Sequence, residues 1–82
     1  MTIEETIEQV CNDFINGNPL EVKERLEAMS PLMAAHVVSQ VGFEIGTFRF
    51  GGSLDTVCGR MVAWRNLLQR FYDGEVILTM RP

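Results

Sequence analysis

The chain has little of the side-chain chemistry on which most enzyme and metal sites depend. Its 82 residues include one histidine, one lysine and two cysteines. Cys11, His36 and Cys58 are able to bind zinc or form a cysteine–histidine nucleophile pair, but their spacing matches no metal motif. No glycine-rich phosphate-binding loop is present either. We therefore predict no catalytic residue, no metal ligand and no cofactor, and expect both cysteines to be buried and reduced.

Long apolar runs and a basic N-terminus are also missing. Glu4, Glu5 and Glu8 stand where a signal peptide needs basic residues and an apolar stretch. No segment approaches the roughly 20 apolar residues that a membrane-spanning helix requires. We therefore expect a cytoplasmic protein that does not enter a membrane. The apolar fraction of 46% and the net charge of −4 are typical of a folded chain. A chain of this length has room for a single domain, residues 1–82.

Apolar periodicity and capping residues divide the first half of the chain into three predicted helices. Thr2 and Glu5 have the spacing of a capping box. Gly17 accepts the left-handed backbone that ends many helices. Asn and Ser each precede a proline at the next two helix starts, which is a common arrangement of N-cap and first helical residue. The predicted helices run from Thr2 to Asn16, from Pro19 to Met29 and from Pro31 to Val41.

Residues 42–52 allow two interpretations. Their phenylalanines, isoleucine and threonine are strand formers, and Gly51–Gly52 would end the strand. As a helix, the same segment would extend the apolar stripe of the preceding helix through Ile45 and Phe48. We favour a strand over residues 43–50, because the segment 75–81 also has strand composition and a strand needs a partner for its backbone groups. A long helix capped by Ser53 or Asp55 and ending near Tyr72 lies between them.

These elements predict an α+β fold. It is a helix-rich small single domain of about four helices with a small two-stranded sheet. The alternative is an all-α fold with an extended C-terminal tail, which follows if residues 43–50 are helical.

The charges are distributed unevenly along the chain. Residues 1–44 hold eight acidic and two basic side chains, a net charge of −6, whereas residues 45–82 hold five basic and three acidic ones, a net charge of +2. The carboxylates of the first two predicted helices are candidate partner-binding residues, since fixed charge steers an oppositely charged protein. They are Glu4, Glu5, Glu8, Asp13, Glu21, Glu24 and Glu27. The alternative binding face, for an acidic partner or nucleic acid, comprises Arg60, Arg65 and Arg70.

Together these observations favour a non-enzymatic protein–protein interaction module whose partner is another protein. Short acidic proteins without catalytic residues are common among inhibitors carried by phages and other mobile elements, an analogy of size and composition rather than of sequence. One hypothesis is a small acidic inhibitor that acts on a host nucleic-acid-binding enzyme. The alternative is a small regulatory nucleic-acid-binding protein that uses the arginine-bearing C-terminal half. An isoelectric point near 4.8 makes nucleic acid the less favoured partner.

A homodimer is also predicted. The third predicted helix is apolar on nearly every side, more than a chain of 82 residues readily covers by itself. We expect a symmetric dimer that buries Val37, Val41 and parts of the helix from Leu54 to Tyr72.

Overall fold

The computed structural model describes residues 2–72, and within this range the chain forms four helices and no strand. The helices are α1 (Ile3–Ile15), α2 (Pro19–Glu27), α3 (Pro31–Ile45) and α4 (Leu54–Tyr72). Helix α3 is central, because it packs against α1, α2 and α4. The described part of the chain is therefore all-α, and the predicted α+β fold with a two-stranded sheet is wrong.

The segment predicted as a strand is the last turn of α3 followed by a loop. Val41 and Ile45 are both fully buried, so the apolar stripe of α3 continues for one turn beyond the predicted end. The loop begins at Gly46, where the hydroxyl of Thr47 donates a hydrogen bond to the Glu44 carbonyl at 2.7 Å. The second predicted strand, residues 75–81, lies outside the described residues.

Two of the three N-caps predicted in the first half of the chain are confirmed. Thr2 and Glu5 form the capping box in both directions, with bonds of 2.9 and 3.1 Å. Ser30 accepts from the amide of Met33, and Gly17 has a φ of 78° after α1. Asn18 occupies the N-cap position of α2 but makes no side-chain cap bond. Neighbouring residues therefore set these boundaries without help from the rest of the fold.

The core is formed by aliphatic side chains that α3 shares with the α1–α2 pair. Val10, Val22 and Val37 are completely buried, and Leu26 is nearly so. Helix α4 joins this core through Trp64, whose ring meets Phe14 of α1 edge to face, at a centroid distance of 5.2 Å. Such an aromatic pair contributes about 0.5–1.5 kcal/mol beyond its buried area.

Two glycines mark where α4 packs against the C-terminal end of α3. A β-carbon on Gly42 would stand 3.5 Å from Nε1 of Trp64, and one on Gly46 would stand 3.5 Å from the sulfur of Met61. Since a higher residue number on α3 meets a lower one on α4, the two helices run antiparallel. Residues 42–45 are helical despite their strand-like composition, because the helical backbone keeps Ile45 on the buried apolar stripe of α3.

Two sequence predictions about burial are corrected. Val37 and Val41, predicted at a dimer interface, have no exposed surface and belong to the core of the single chain. Cys58 was predicted to be buried but is exposed on α4, whereas Cys11 is buried as predicted. The reason is that α4 buries a narrower face than its apolar pattern suggests, centred on Val57, Trp64 and Leu68.

The α3–α4 seam gives a matched pair of substitutions at one position. Gly42→Ala places its methyl group at ordinary contact distance from Trp64 and stiffens the helix, so the free energy of unfolding should rise by about 0.5–1 kcal/mol. The larger side chain of Gly42→Leu does not fit between α3 and α4, so this variant should lower the free energy of unfolding by about 1–3 kcal/mol. Urea denaturation followed by tryptophan fluorescence measures both. Equal effects of the two variants would show that the helices do not meet closely at Gly42.

Candidate functional site

Three of the seven predicted partner-binding carboxylates make hydrogen bonds or ion pairs with other residues of the same chain. Glu5 accepts the amide of Thr2 in the capping box, and this hydrogen bond is the main cause that lowers the pKa of its carboxyl group. Glu8 accepts two hydrogen bonds from Arg49. Asp13 pairs with Arg25. The seven residues therefore do not form one surface free to bind a partner.

Arg49 connects the loop after α3 to α1. Its guanidinium binds Glu8 of α1 and, at 3.0 Å, Glu44 of α3. The hydrogen bond to Glu8 raises the pKa of Arg49. The Cys11 thiol lies beneath this cluster. Its pKa is raised to about 11, mainly because the thiol is buried and then because of the charges of Glu8 and Glu44. Cys11 is thus an unreactive core thiol at neutral pH, because the thiolate is the nucleophile.

A second polar network joins α1 to α2. The Nε of Arg25 donates to the carboxylate of Asp13 at 2.6 Å. The Nη1 of Arg25 donates to the side-chain oxygen of Gln9 at 2.6 Å. Asp13 is only 14% exposed, so the pair is partly shielded from water. This network positions α2 against α1, which makes Asp13 a structural residue in the present fold.

The other four predicted carboxylates are exposed and, among the described residues, have no hydrogen-bond or ion-pair partner. Glu4 lies on α1, and the rest follow the outer side of α2. We call these three residues, Glu21, Glu24 and Glu27, the α2 carboxylate face. A shallow depression lined by Glu21, Glu24, Arg25 and Ala28 lies on it. A surface of this kind is able to attract a basic segment, although solvated helix faces commonly look the same.

The three arginines of the alternative binding face are not brought together. They are five residues apart on α4, so successive members point about 140° apart around the helix. Arg60 is also engaged, because it donates to the backbone carbonyls of Gly51 at 2.7 Å and Phe50 at 3.3 Å. Arg65 and Arg70 are exposed. The arrangement offers single arginines on different sides rather than one basic face.

The surface that sequence reasoning missed is apolar and lies on α3 and α4. The exposed residues of α3 between positions 32 and 43 include no carboxylate, lysine or arginine; they are Leu32, Met33, His36, Ser39, Gln40 and Phe43. On α4, Leu54, Cys58, Met61 and Val62 recur at three- and four-residue spacing and are exposed. Phe43 is 70% exposed and Leu54 is 65% exposed.

These two exposed helix faces adjoin along the seam. A β-carbon at Gly46 would meet the sulfur of Met61, and Phe43, which is exposed, lies one turn before Gly46. The opposite flank of α4, with Ala63, Leu67 and Arg70, faces the α1–α2 turn instead. Phe43, Leu54, Cys58, Met61 and Val62 therefore share one side of the molecule, and we call these five residues the α3–α4 face.

A sequence signal for this face existed in the width of the α4 stripe. The stripe includes both Val57 and Cys58, and both Met61 and Trp64, which is too wide to be buried against one neighbouring helix. Only tertiary packing separates the two sets, since Val57 and Trp64 are buried and Cys58 and Met61 are exposed.

Other types of site receive no support within residues 2–72. No three histidine, cysteine, aspartate or glutamate side chains in that range converge as metal ligands. None of its helices combines the length and the apolar content needed to cross a bilayer. Comparison with protein-family models, with curated proteins and with solved structures finds no match to this chain.

The different environments of the two cysteines give a direct prediction. In dilute native protein at pH 8, a thiol reagent should label Cys58 rapidly and leave Cys11 unlabelled, because Cys11 is buried and its pKa is raised to about 11. Mass spectrometry should find one label per native chain and two after denaturation. Rapid double labelling of the native protein would contradict the packing of Cys11, and a Cys58→Ser variant identifies the labelled site.

Proposed function

We propose that this chain is a non-enzymatic, cytoplasmic protein–protein interaction module and that it binds through the α3–α4 face. The observation that carries the proposal is the exposure of five apolar residues on the adjoining sides of two packed helices. Scattered apolar residues are normal on protein surfaces, but a contiguous apolar patch marks an interaction surface more often than chance. The side chains are held by rigid helices, so binding them costs little conformational entropy.

The distribution of charge supports the same surface. Eight of the nine carboxylates in the described range lie on α1, α2 or the α1 side of α3, while the α3–α4 face has Asp55 and Arg65 only at its edges. Interface centres are depleted of charge and bordered by polar residues, which is the pattern seen here.

The narrower hypothesis is a small acidic inhibitor of phage or mobile-element type that acts on a host nucleic-acid-binding enzyme. It is supported by the α2 carboxylate face and by Glu4, which lies apart from that face on α1, near Glu8 and Glu44. Because Glu5, Glu8 and Asp13 bind inside the fold, four carboxylates rather than seven would mimic phosphates. The alternative function, regulatory nucleic-acid binding, would depend on Arg65 and Arg70, since Arg60 holds the loop before α4.

Affinity capture with matched variants tests the proposed function. The tagged chain, a Phe43→Lys variant and a Leu20→Lys variant are used as baits in a lysate of the source cells. Phe43 and Leu20 are both 70% exposed, so neither lysine should disturb folding, but only Phe43 lies on the α3–α4 face. We expect the wild type and Leu20→Lys to retain the same protein and Phe43→Lys to lose it. Equal retention by all three would contradict binding through this face.

The α2 carboxylate face has its own prediction. Glu24→Lys together with Glu27→Lys should change the melting temperature little. Both side chains are exposed, and neither forms an ion pair with another described residue. If a basic partner binds there, the association rate should fall and become less sensitive to salt. Stopped-flow or surface-plasmon measurements at two salt concentrations provide the rates. Unchanged rates at low salt would exclude this face as the binding site of that partner.

A further inference from the structure

We propose that the α3–α4 face is occupied by a second copy of this chain, in a two-fold symmetric dimer built on antiparallel α4 helices. This inference rests on the proposed function and names the partner of the same surface. It rests on the positions of exposed residues along α4, on the apolar area that they present and on the charges at either end.

Two pairs of exposed residues on α4 lie symmetrically about position 60. Cys58 and Val62 lie two residues on either side, and Asp55 and Arg65 lie five residues on either side. With a rise of about 1.5 Å per residue, the charged pair is about 7.5 Å from the midpoint in each direction. Two antiparallel copies with a two-fold axis at this level place Cys58 of each copy at the level of Val62 of the other.

The same symmetry makes the charges complementary. Asp55 of one copy reaches the level of Arg65 of the second copy, and the pair occurs twice in an isologous interface. The two positions differ by about 80° around the helix, an offset that the long arginine side chain can span. Within the described residues neither Asp55 nor Arg65 has an ion-pair partner in its own chain. A heterologous partner would have no need for opposite charges at equal distances from the centre.

The area also fits a second copy. With about 150–200 Å² for a whole large apolar side chain, the exposed parts of Phe43, Leu54, Met61 and Val62 present roughly 400 Å². A standard interface buries about 800 Å² of surface on each partner, and a little over half of that surface is apolar. The face therefore supplies the apolar centre of one interface of ordinary size. The carboxylates of α1 and α2 lie elsewhere, so two acidic molecules can meet here without strong repulsion.

A charge-exchange experiment on the full-length chain tests this dimer. Wild type should sediment at micromolar concentration with twice the 9.3 kDa mass of the chain. Asp55→Arg alone and Arg65→Asp alone each place like charges opposite one another twice, so each should raise the dimer dissociation constant at least about tenfold. The two variants mixed in equal amounts should form a heterodimer, since each Arg–Arg contact becomes an Arg–Asp contact. The double variant should dimerise again.

An apolar substitution provides an independent measurement. Val62→Lys should yield a monomer with unchanged helical circular dichroism, because Val62 is 58% exposed and lysine is the better helix former. Leu20→Lys, the matched control on α2, should remain dimeric. Alkylation of Cys58 should slow as wild-type concentration rises and stay fast in Val62→Lys.

The outcomes separate this inference from the proposed function. A wild type of 9.3 kDa at high micromolar concentration, or folded charge variants that fail to pair when mixed, overturns the dimer. If the monomer still captures another protein through Phe43, the interaction function stands and only the second copy is excluded. If the wild type is a monomer and Cys58 is alkylated slowly at every concentration, the result would mean that residues 73–82 of the same chain cover the face. That outcome also overturns the dimer.

Discussion

The arrangement of the whole domain depends on the burial of α3. Val37, Val41 and Ile45 have no exposed surface, so this helix is surrounded on the side that faces α1 and α2. Small residues, Gly42 and Gly46, stand where it meets α4, and a side chain much larger than a methyl group would not fit at Gly42. A close-packed central helix leaves little freedom to its neighbours, because interiors tolerate neither voids nor overlaps. The positions of α1, α2 and α4 follow from these contacts.

Packing around α3 separates the surface into two chemically different sides. One polar network, through Arg25, holds α1 to α2, and another, through Arg49, holds α1 to the loop before α4. Three nearby carboxylates form ion pairs in these networks. The opposite side, where α3 meets α4, has few charges and several exposed apolar side chains. A small domain has too few residues to cover both sides of every helix, so one apolar side remains exposed in the described part of the chain.

The two proposed interactions are compatible in one molecule. A dimer through α4 would leave the α2 carboxylate face exposed on both copies, since α2 contacts α1 and α3 in the described structure. A basic partner would then meet two equivalent acidic surfaces, and bivalent attachment strengthens binding when the geometry allows both to engage. Self-association through apolar contacts and recognition through charge would thus use separate surfaces of the domain.

Local sequence determined the starts of α1 and α3 and the end of α1, because caps involve residues three or four positions apart. The capping box of Thr2 and Glu5 and the turn at Gly17 needed no tertiary information. The same reasoning failed for residues 43–50, where composition favours a strand and burial of Ile45 favours a helix. It also failed to distinguish buried from exposed residues within the α4 stripe, as Cys58 shows. Only the tertiary structure decided these points, since burial depends on which helices meet, and that is a property of contacts between residues distant in sequence.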